Sequence, residues 1–330
     1  MKRRDFVGGL MLATAMRPAV AQQTAKAKRL AYVSQAFNVA DQRADADRYH
    51  RAFYEELNRR GYFEGQNLVT EHYFEARPER LAELARDVVG TRPDVIFAEG
   101  SLPTLVLKTP ATEIPVVTLA ADPIAQGLTQ SLAHPDANIT GTSADAGIEL
   151  YGKLIELLKE LEPKLSNVFC LASERLWKSQ YGVAAQEAAK RAGISLIPVL
   201  LTTFDEAAYE RAFKSMDQDR ADALLVSFDG LHLVHRTALV RLVAERRLPA
   251  IFPFPIIVDI GGLMFYGADY VDIYRRLAGQ IADILKGAKP ADIPFQQPTK
   301  FELVINLKTA KAQGIDVPAT MLLRADEVIE

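Results

Sequence analysis

The sequence reads as an α/β protein built from two similar, doubly wound parallel-sheet lobes joined by a hinge, and three observations predict it. From Lys28 onward, short apolar runs alternate with amphipathic stripes of helical period. That alternation occurs twice, and small, polar or acidic residues stand where the apolar runs end. A chain of 330 residues is long enough to bury two such cores.

In the first half, residues 30–33 form a buried strand ending at Ser34. Tyr49, Phe53 and Leu57 make a helical stripe stopped by Gly61. Residues 68–74 form a second strand, and Leu81, Leu84, Ala85 and Val88 give a helix at i, i+3, i+4, i+7. Residues 95–98 and 116–119 are two further buried strands. The second half repeats the order. Helices are expected at 148–161, 183–191, 206–216 and 233–246, and strands at 168–172, 196–201, 223–227 and 250–252. A helix at 271–285, a proline-marked connection, a strand at 301–305 and a last helix complete the chain.

The halves also share details. Arg92-Pro93-Asp94-Val95 answers Arg220-Ala221-Asp222-Ala223, Ile114-Pro115-Val116 answers Leu248-Pro249-Ala250, and Arg60-Gly61 answers Ala192-Gly193. Such a duplication implies two lobes whose strand-end loops face each other across a cleft. The expected division puts residues 28–141 and 267–289 in the first lobe and 142–266 and 290–330 in the second. The crossings then lie near 137–142, near 261–267 and in the proline-marked tail.

Composition removes several classes. A hydrophobic fraction of 49% and a charged fraction of 25% exclude a disordered chain. The single Cys170 excludes an intramolecular disulfide framework and any cysteine-based zinc cluster. A net charge of −3 argues against a nucleic-acid binder working through a basic surface. The first residues differ from the rest: Lys2, Arg3 and Arg4, then the apolar run Phe6-Val7-Gly8-Gly9-Leu10-Met11-Leu12-Ala13, then Ala19-Val20-Ala21. This order predicts a signal peptide over residues 1–21, cleaved after Ala21, with a twin-arginine-like start at Arg3-Arg4-Asp5-Phe6. Its removal takes away Lys2, Arg3, Arg4 and Arg17 together with Asp5, shifting the net charge from −3 to −6. The mature chain has no later membrane span and is expected in the periplasm as a monomer.

Motifs of chemistry are tested and mostly fail. Gly147-Ile148-Glu149-Leu150-Tyr151-Gly152-Lys153-Leu154 imitates a phosphate loop, but Leu154 replaces the required hydroxyl residue. Asp229, His232 and His235 fall at i, i+3, i+6, and three groups on one short helix cannot surround a tetrahedral ion. Neither a metal nor a cofactor is expected, and no catalytic constellation emerges. The candidates left are strand-end residues: Ser34 and Gln35; Gly100, Ser101 and Thr104; Asp122 and Pro123; Ser173, Glu174 and Trp177; Asp229; and Phe254. Hydroxyls and exposed N–H groups at helix starts can hold a carboxylate. Asp122, Glu174 and Asp229 can pair with an ammonium, and Trp177 and Phe254 can pack on an apolar or aromatic body.

Several runs carry a family likeness. They are Glu56-Leu57-Asn58-Arg59-Arg60-Gly61-Tyr62-Phe63-Glu64-Gly65-Gln66-Asn67, Asp122-Pro123, and Ser131-Leu132-Ala133-His134-Pro135 with Asn138-Ile139-Thr140-Gly141. To these are added Gln297-Pro298-Thr299-Lys300-Phe301-Glu302-Leu303-Val304-Ile305-Asn306 and Leu322-Leu323-Arg324-Ala325-Asp326-Glu327-Val328. With them the chain resembles the ABC-transporter substrate-binding proteins of the tryptophan/tyrosine type, which have the periplasmic-binding-protein type I fold. The resemblance implies capture of a small-molecule ligand between lobes and delivery to an ABC permease driven by its ATPase. It favours Ser101, Thr104, Asp122 and Asp229 as ligand contacts. The sequence departs from its relatives at Ser173-Glu174-Arg175 and at Phe254-Pro255-Ile256-Ile257-Val258, both beside the expected cleft. Amino acids, aromatic acids and similar carboxylates are therefore the ligand candidates. A sensory module for a membrane receptor and a soluble α/β enzyme are the alternatives.

Overall fold

A computed structural model describes residues 27–43, 45–111, 113–135, 138–217 and 221–330. The expected signal segment, and the positions Ala137 and Arg220 used above, lie outside the described residues. Ten of the strands fall into two sets of five with one topology. The first sheet holds β1 (Lys28–Ser34), β2 (Leu68–Phe74), β3 (Val95–Glu99), β4 (Val116–Ala120) and β5 (Ile139–Ser143), all parallel, in the order β2-β1-β3-β4-β5. The second contains β6 (Asn167–Ser173), β7 (Ser195–Leu201), β8 (Ala223–Val226), β9 (Ala250–Phe252) and β10 (Met264–Ala268) in the matching order β7-β6-β8-β9-β10. It is extended by β11 (Phe301–Asn306), antiparallel to β10, and β12 (Glu327–Ile329), parallel to β11.

The paired motifs of the two halves perform the same local work. Asp94 donates its N–H to Arg29 O (2.9 Å), and its carboxylate accepts the Arg29 N–H (2.8 Å). Asp222 treats Asn167 in the same way, at 2.8 and 2.9 Å. Each aspartate therefore fixes the register of its strand against the first strand of its lobe. A third copy, absent from the sequence reading, follows Arg324-Ala325: Asp326 exchanges both bonds with Leu303 of β11. Hydrogen bonds from the Asn167 and Ser166 backbone hold the Asp222 carboxyl below the usual carboxylate range. A depressed native value means stability that is present above the unfolded value and lost as pH falls through the native one. Asp222→Ala is expected to cost about 1–2 kcal/mol at neutral pH by unpairing these donors. Urea titrations at several pH values should show that cost shrinking on the acid side.

The chain crosses between lobes a little later than expected. β5 runs through Ser143, so residues 142 and 143 belong to the first sheet, and β10 runs through Ala268 in the second. The helix Tyr270–Leu285 then returns to the first lobe, lying on the helix Arg48–Arg59 and on β3, β4 and β5. Residues 290–296 stay there as well: Phe295 N–H bonds Leu132 O (2.8 Å), and Ser143 N–H bonds Gln296 O (2.7 Å). The expected boundary at 289/290 is thus corrected to the segment between Gln296 and β11. Two of the expected crossings, 137–142 and 261–267, instead contain most of β5 and β10.

β5 escapes an apolar reading because hydroxyls fill its buried positions. Thr140 donates to Ile293 O (2.6 Å), Thr142 to Gln280 Oε1 (3.3 Å) and Ser143 to Ala121 O. Buried Gln280, on the returning helix, answers with its amide to Gly141 O (2.9 Å). Aromatic side chains link the two cores. Tyr270 touches Phe254 and Phe265 of the second lobe and Tyr49 of the first, so one hydrophobic cluster spans the junction.

Candidate functional site

Parallel strands aim their carboxyl ends one way, so each lobe presents one row of loops. Contacts between those rows show that they face each other. Arg236 of the second lobe donates to Ala36 O (2.8 Å) and to Asp41 Oδ2 (2.9 Å), and its guanidinium lies 5.2 Å from the centre of the Phe37 ring. Tyr181, at the start of the helix Gln180–Ala192, brings its hydroxyl to Asp145 Oδ2 (2.8 Å) and Asp122 Oδ2 (3.2 Å) of the first lobe. With a single proton to give, the phenol donates to Asp145, and Asp122 is held beside it. Tyr49 bonds Asp259 (3.1 Å), and Arg48 pairs with Asp259 and Glu327.

In the first lobe, the buried Ser34 Oγ accepts the N–H groups of Ala36 (3.2 Å) and Phe37 (3.0 Å), turning Phe37 inward. Gln35 is buried and reaches Ala76 O (3.3 Å). Gly100 has φ +109°, in the region that disfavours a side chain, and starts the short helix Ser101–Leu107. Ser101 Oγ accepts the Ala121 N–H (3.3 Å), joining the ends of β3 and β4. Thr104 lies inside the lobe, where it donates to Gly100 O (2.8 Å) and meets Thr118 Oγ1 (2.5 Å). Asp122 Oδ1 accepts from Ile124 (3.1 Å) and Ala125 (3.0 Å), and Pro123 is buried beneath that turn.

In the second lobe, Ser173 donates to Asp229 Oδ2 (2.9 Å) and accepts the Leu176 N–H, while Asp229 Oδ1 accepts the Leu231 N–H (3.2 Å). Two positions 56 residues apart are thus brought together at adjacent strand ends. Glu174 is instead exposed and paired with Lys178. Trp177 is half-buried against the second-lobe core. Phe254 lies edge-on to Phe228 (6.2 Å) and Tyr270 (6.1 Å).

An aromatic row not named from the sequence runs through this junction. Ring centres follow one another from Phe37 to His50 (5.2 Å) and Tyr274 (5.3 Å), and from there to Tyr49 and Tyr270. The row continues through Phe254, Phe228 and Tyr151 to Tyr181, each step under 7 Å. Tilted and edge-on packing of this kind is favourable between aromatic rings, and Phe228 and Tyr181 are the half-buried members of the row. Phe228 carried a sequence signal, since it stands between Ser227 and Asp229 at the end of β8. Glu99 carried one too, as the acid that ends an all-apolar strand.

His232 and His235 are both engaged by side chains and backbone of the second lobe. His232 is buried between the Tyr209 hydroxyl (2.7 Å) and Ser227 Oγ (3.3 Å), and burial pushes it down to about 4, so it stays neutral. His235 turns to Phe204 O (2.7 Å). Among the described residues no group of His, Cys, Asp and Glu could hold a metal ion. Burial pushes the Cys170 thiol up to about 12, which removes it as a nucleophile. The phosphate-loop look-alike is a helix, Leu150–Leu161, with Leu150, Leu154, Leu157 and Leu158 in the core.

Residues 42–329 match the family described as ABC transporter substrate binding protein. A tyrosine-binding protein of Clostridioides difficile (strain R20291) is 25% identical over 288 residues, covering 85% of this chain and 81% of the relative. The ABC domain in complex with L-Trp from Streptococcus pneumonia superposes with a TM-score of 0.78 at 22% identity, over 92% of this chain and 100% of that one. The ligand-free, open structure of a substrate binding protein with adhesive properties from Clostridium difficile gives 0.63 at 20% identity, over 92% and 99%. Among the described residues no helix is long and apolar enough to cross a membrane. With two parallel-sheet lobes meeting at their strand ends and a family match over most of its length, the chain belongs to the ABC transporter substrate binding proteins.

Proposed function

We propose that the protein is the exported, ligand-capturing component of an ABC importer, which closes its two lobes on an aromatic amino acid or related aromatic carboxylate and presents it to the permease. The aromatic row carries this reading, because it lines the junction between the lobes and is flanked by strand-end polar groups. Names of relatives point the same way, one being a tyrosine-binding protein and another an L-Trp complex. The Arg236 and Tyr181 contacts fit a closed arrangement in which strand ends meet across the ligand. Capture is reversible binding, without a reaction, metal or cofactor. The N-terminal segment 1–21 would direct export to the periplasm and be removed after Ala21.

A molecule that binds only the native state adds about 2.7 kcal/mol of stability at a hundredfold excess over its Kd. Melting scans with the common amino acids and a panel of aromatic acids are expected to give a rise of several degrees for L-tyrosine, L-tryptophan or a close aromatic relative. No shift with any of them would defeat the reading. Turnover of a panel compound by purified protein would replace it with the enzyme alternative.

A further inference from the structure

The three acids expected to meet a ligand ammonium are all engaged elsewhere. Asp122 binds two backbone N–H groups and sits against Tyr181; Asp229 takes the Ser173 hydroxyl and a backbone N–H; Glu174 pairs with Lys178 on the surface. A fourth carboxylate is placed differently. Glu99 is the last residue of β3, opposite Ser34 in register, and is 5% exposed. Its Oε1 accepts the Tyr274 hydroxyl, whereas its buried Oε2 has no hydrogen-bond partner.

We propose that Glu99 is the acceptor for a cationic nitrogen of the ligand, so that the captured molecule is an amine-bearing aromatic compound rather than a simple aromatic acid. This rests on the aromatic-ligand reading above and narrows it. His50 and Tyr274, which flank the carboxyl, are themselves members of the aromatic row. Glu99 thus stands beside that row, at the carboxyl end of β3. Gly100, next in the chain, adds no side chain to this edge.

The surroundings supply little to neutralise a carboxylate. From β1 come Tyr32 and Ser34; from the helix Arg48–Arg59 and its cap come Asp47, His50 and Tyr54; from the helix Tyr270–Leu285 come Tyr270 and Tyr274. The one basic side chain among them, His50, is 3.9 Å away and already bonded to Asp47 (2.7 Å) and the Tyr32 hydroxyl (2.9 Å). Burial pushes the Glu99 carboxyl above its usual range, with His50 and the hydroxyls pulling the other way. An arriving ammonium would supply the positive charge that these surroundings lack.

Paired ligands that differ only in the amine test this. Titration calorimetry at pH 7 would use L-tryptophan and L-tyrosine beside 3-indolepropionate and 3-(4-hydroxyphenyl)propionate, which lack only the amine. The amino acid is expected to bind about tenfold or more tightly than its deaminated counterpart, as a charged hydrogen bond provides. E99Q is expected to bring that affinity ratio near one, its melting curve reporting whether it folds. A wild-type protein that binds both members of a pair alike overturns the proposal. So does an E99Q protein that keeps the wild-type ratio. If the wild-type protein binds none of the four compounds, the aromatic-ligand reading itself falls, and this subsite with it.

Discussion

Gly141→Ala is expected to destabilise the protein by about 3 kcal/mol or more, at the upper end of what forced overpacking costs. A Cβ at this position would stand 2.0 Å from Thr118 O and 2.8 Å from Thr118 N, both backbone atoms of β4. Neither side can yield. Gly141 O is held by the amides of Gln280 (2.9 Å) and Gln296 (3.0 Å), and β4 is paired with β3 on its other edge. Gly182→Ala should also be costly, since its Cβ would meet Trp177 O at 2.0 Å, but the short helix there is freer to move. Denaturant midpoints for the two variants check both the size of the effect and the order. A Gly141→Ala protein as stable as wild type would mean that the approach of β5 to β4 is looser than described.

Arg236→Ala is expected to weaken capture of the aromatic ligand by about tenfold to a hundredfold, mostly through faster dissociation. The guanidinium joins the strand-end rows three ways: a charged bond to Asp41, a second to Ala36 O and a stack on Phe37. Charge-assisted bonds contribute about 1.5–3 kcal/mol when partly shielded from water. Losing them lowers the closed population, and apparent affinity falls with the fraction competent to bind. Stopped-flow dissociation of L-tryptophan or L-tyrosine would read the effect, with Tyr181→Phe as a milder companion that removes one hydroxyl. An unchanged dissociation rate in Arg236→Ala would show that this contact is incidental to closure.

The sequence was most legible where burial is apolar. β1, β3, β4, β6, β8 and β9 are centred on runs rich in Val, Ile, Leu, Phe and Ala, and the repeated Asp94 and Asp222 exposed the duplicated topology. It was least legible where polar groups do the burying. Thr140, Thr142 and Ser143 look like loop residues until Gln280 and residues 293–296 arrive to bond them. The site divides in the same way. Strand ends could be located from local pattern, which puts Ser34, Asp122, Ser173 and Asp229 at or just beyond them. Which of them has a free atom depends on partners such as Tyr181, distant in the chain. Tyr49, Tyr270 and Tyr274 sit at helical spacing and read as ordinary core, so the row they form with Phe254 and Phe228 emerges only when the lobes are assembled.

The helix Tyr270–Leu285 has a consequence for the order in which the molecule can be made. It buries Ile273, Tyr274, Leu277, Ala278 and Ile281 in a lobe whose strands all lie before residue 144. A chain delivered N-terminus first therefore carries its first lobe uncovered, with that face of β3, β4 and β5 bare, until residue 296 has emerged. Completion of the first lobe must wait for a helix that follows most of the second. A polypeptide made in this order keeps its first lobe incomplete almost to the end of its length.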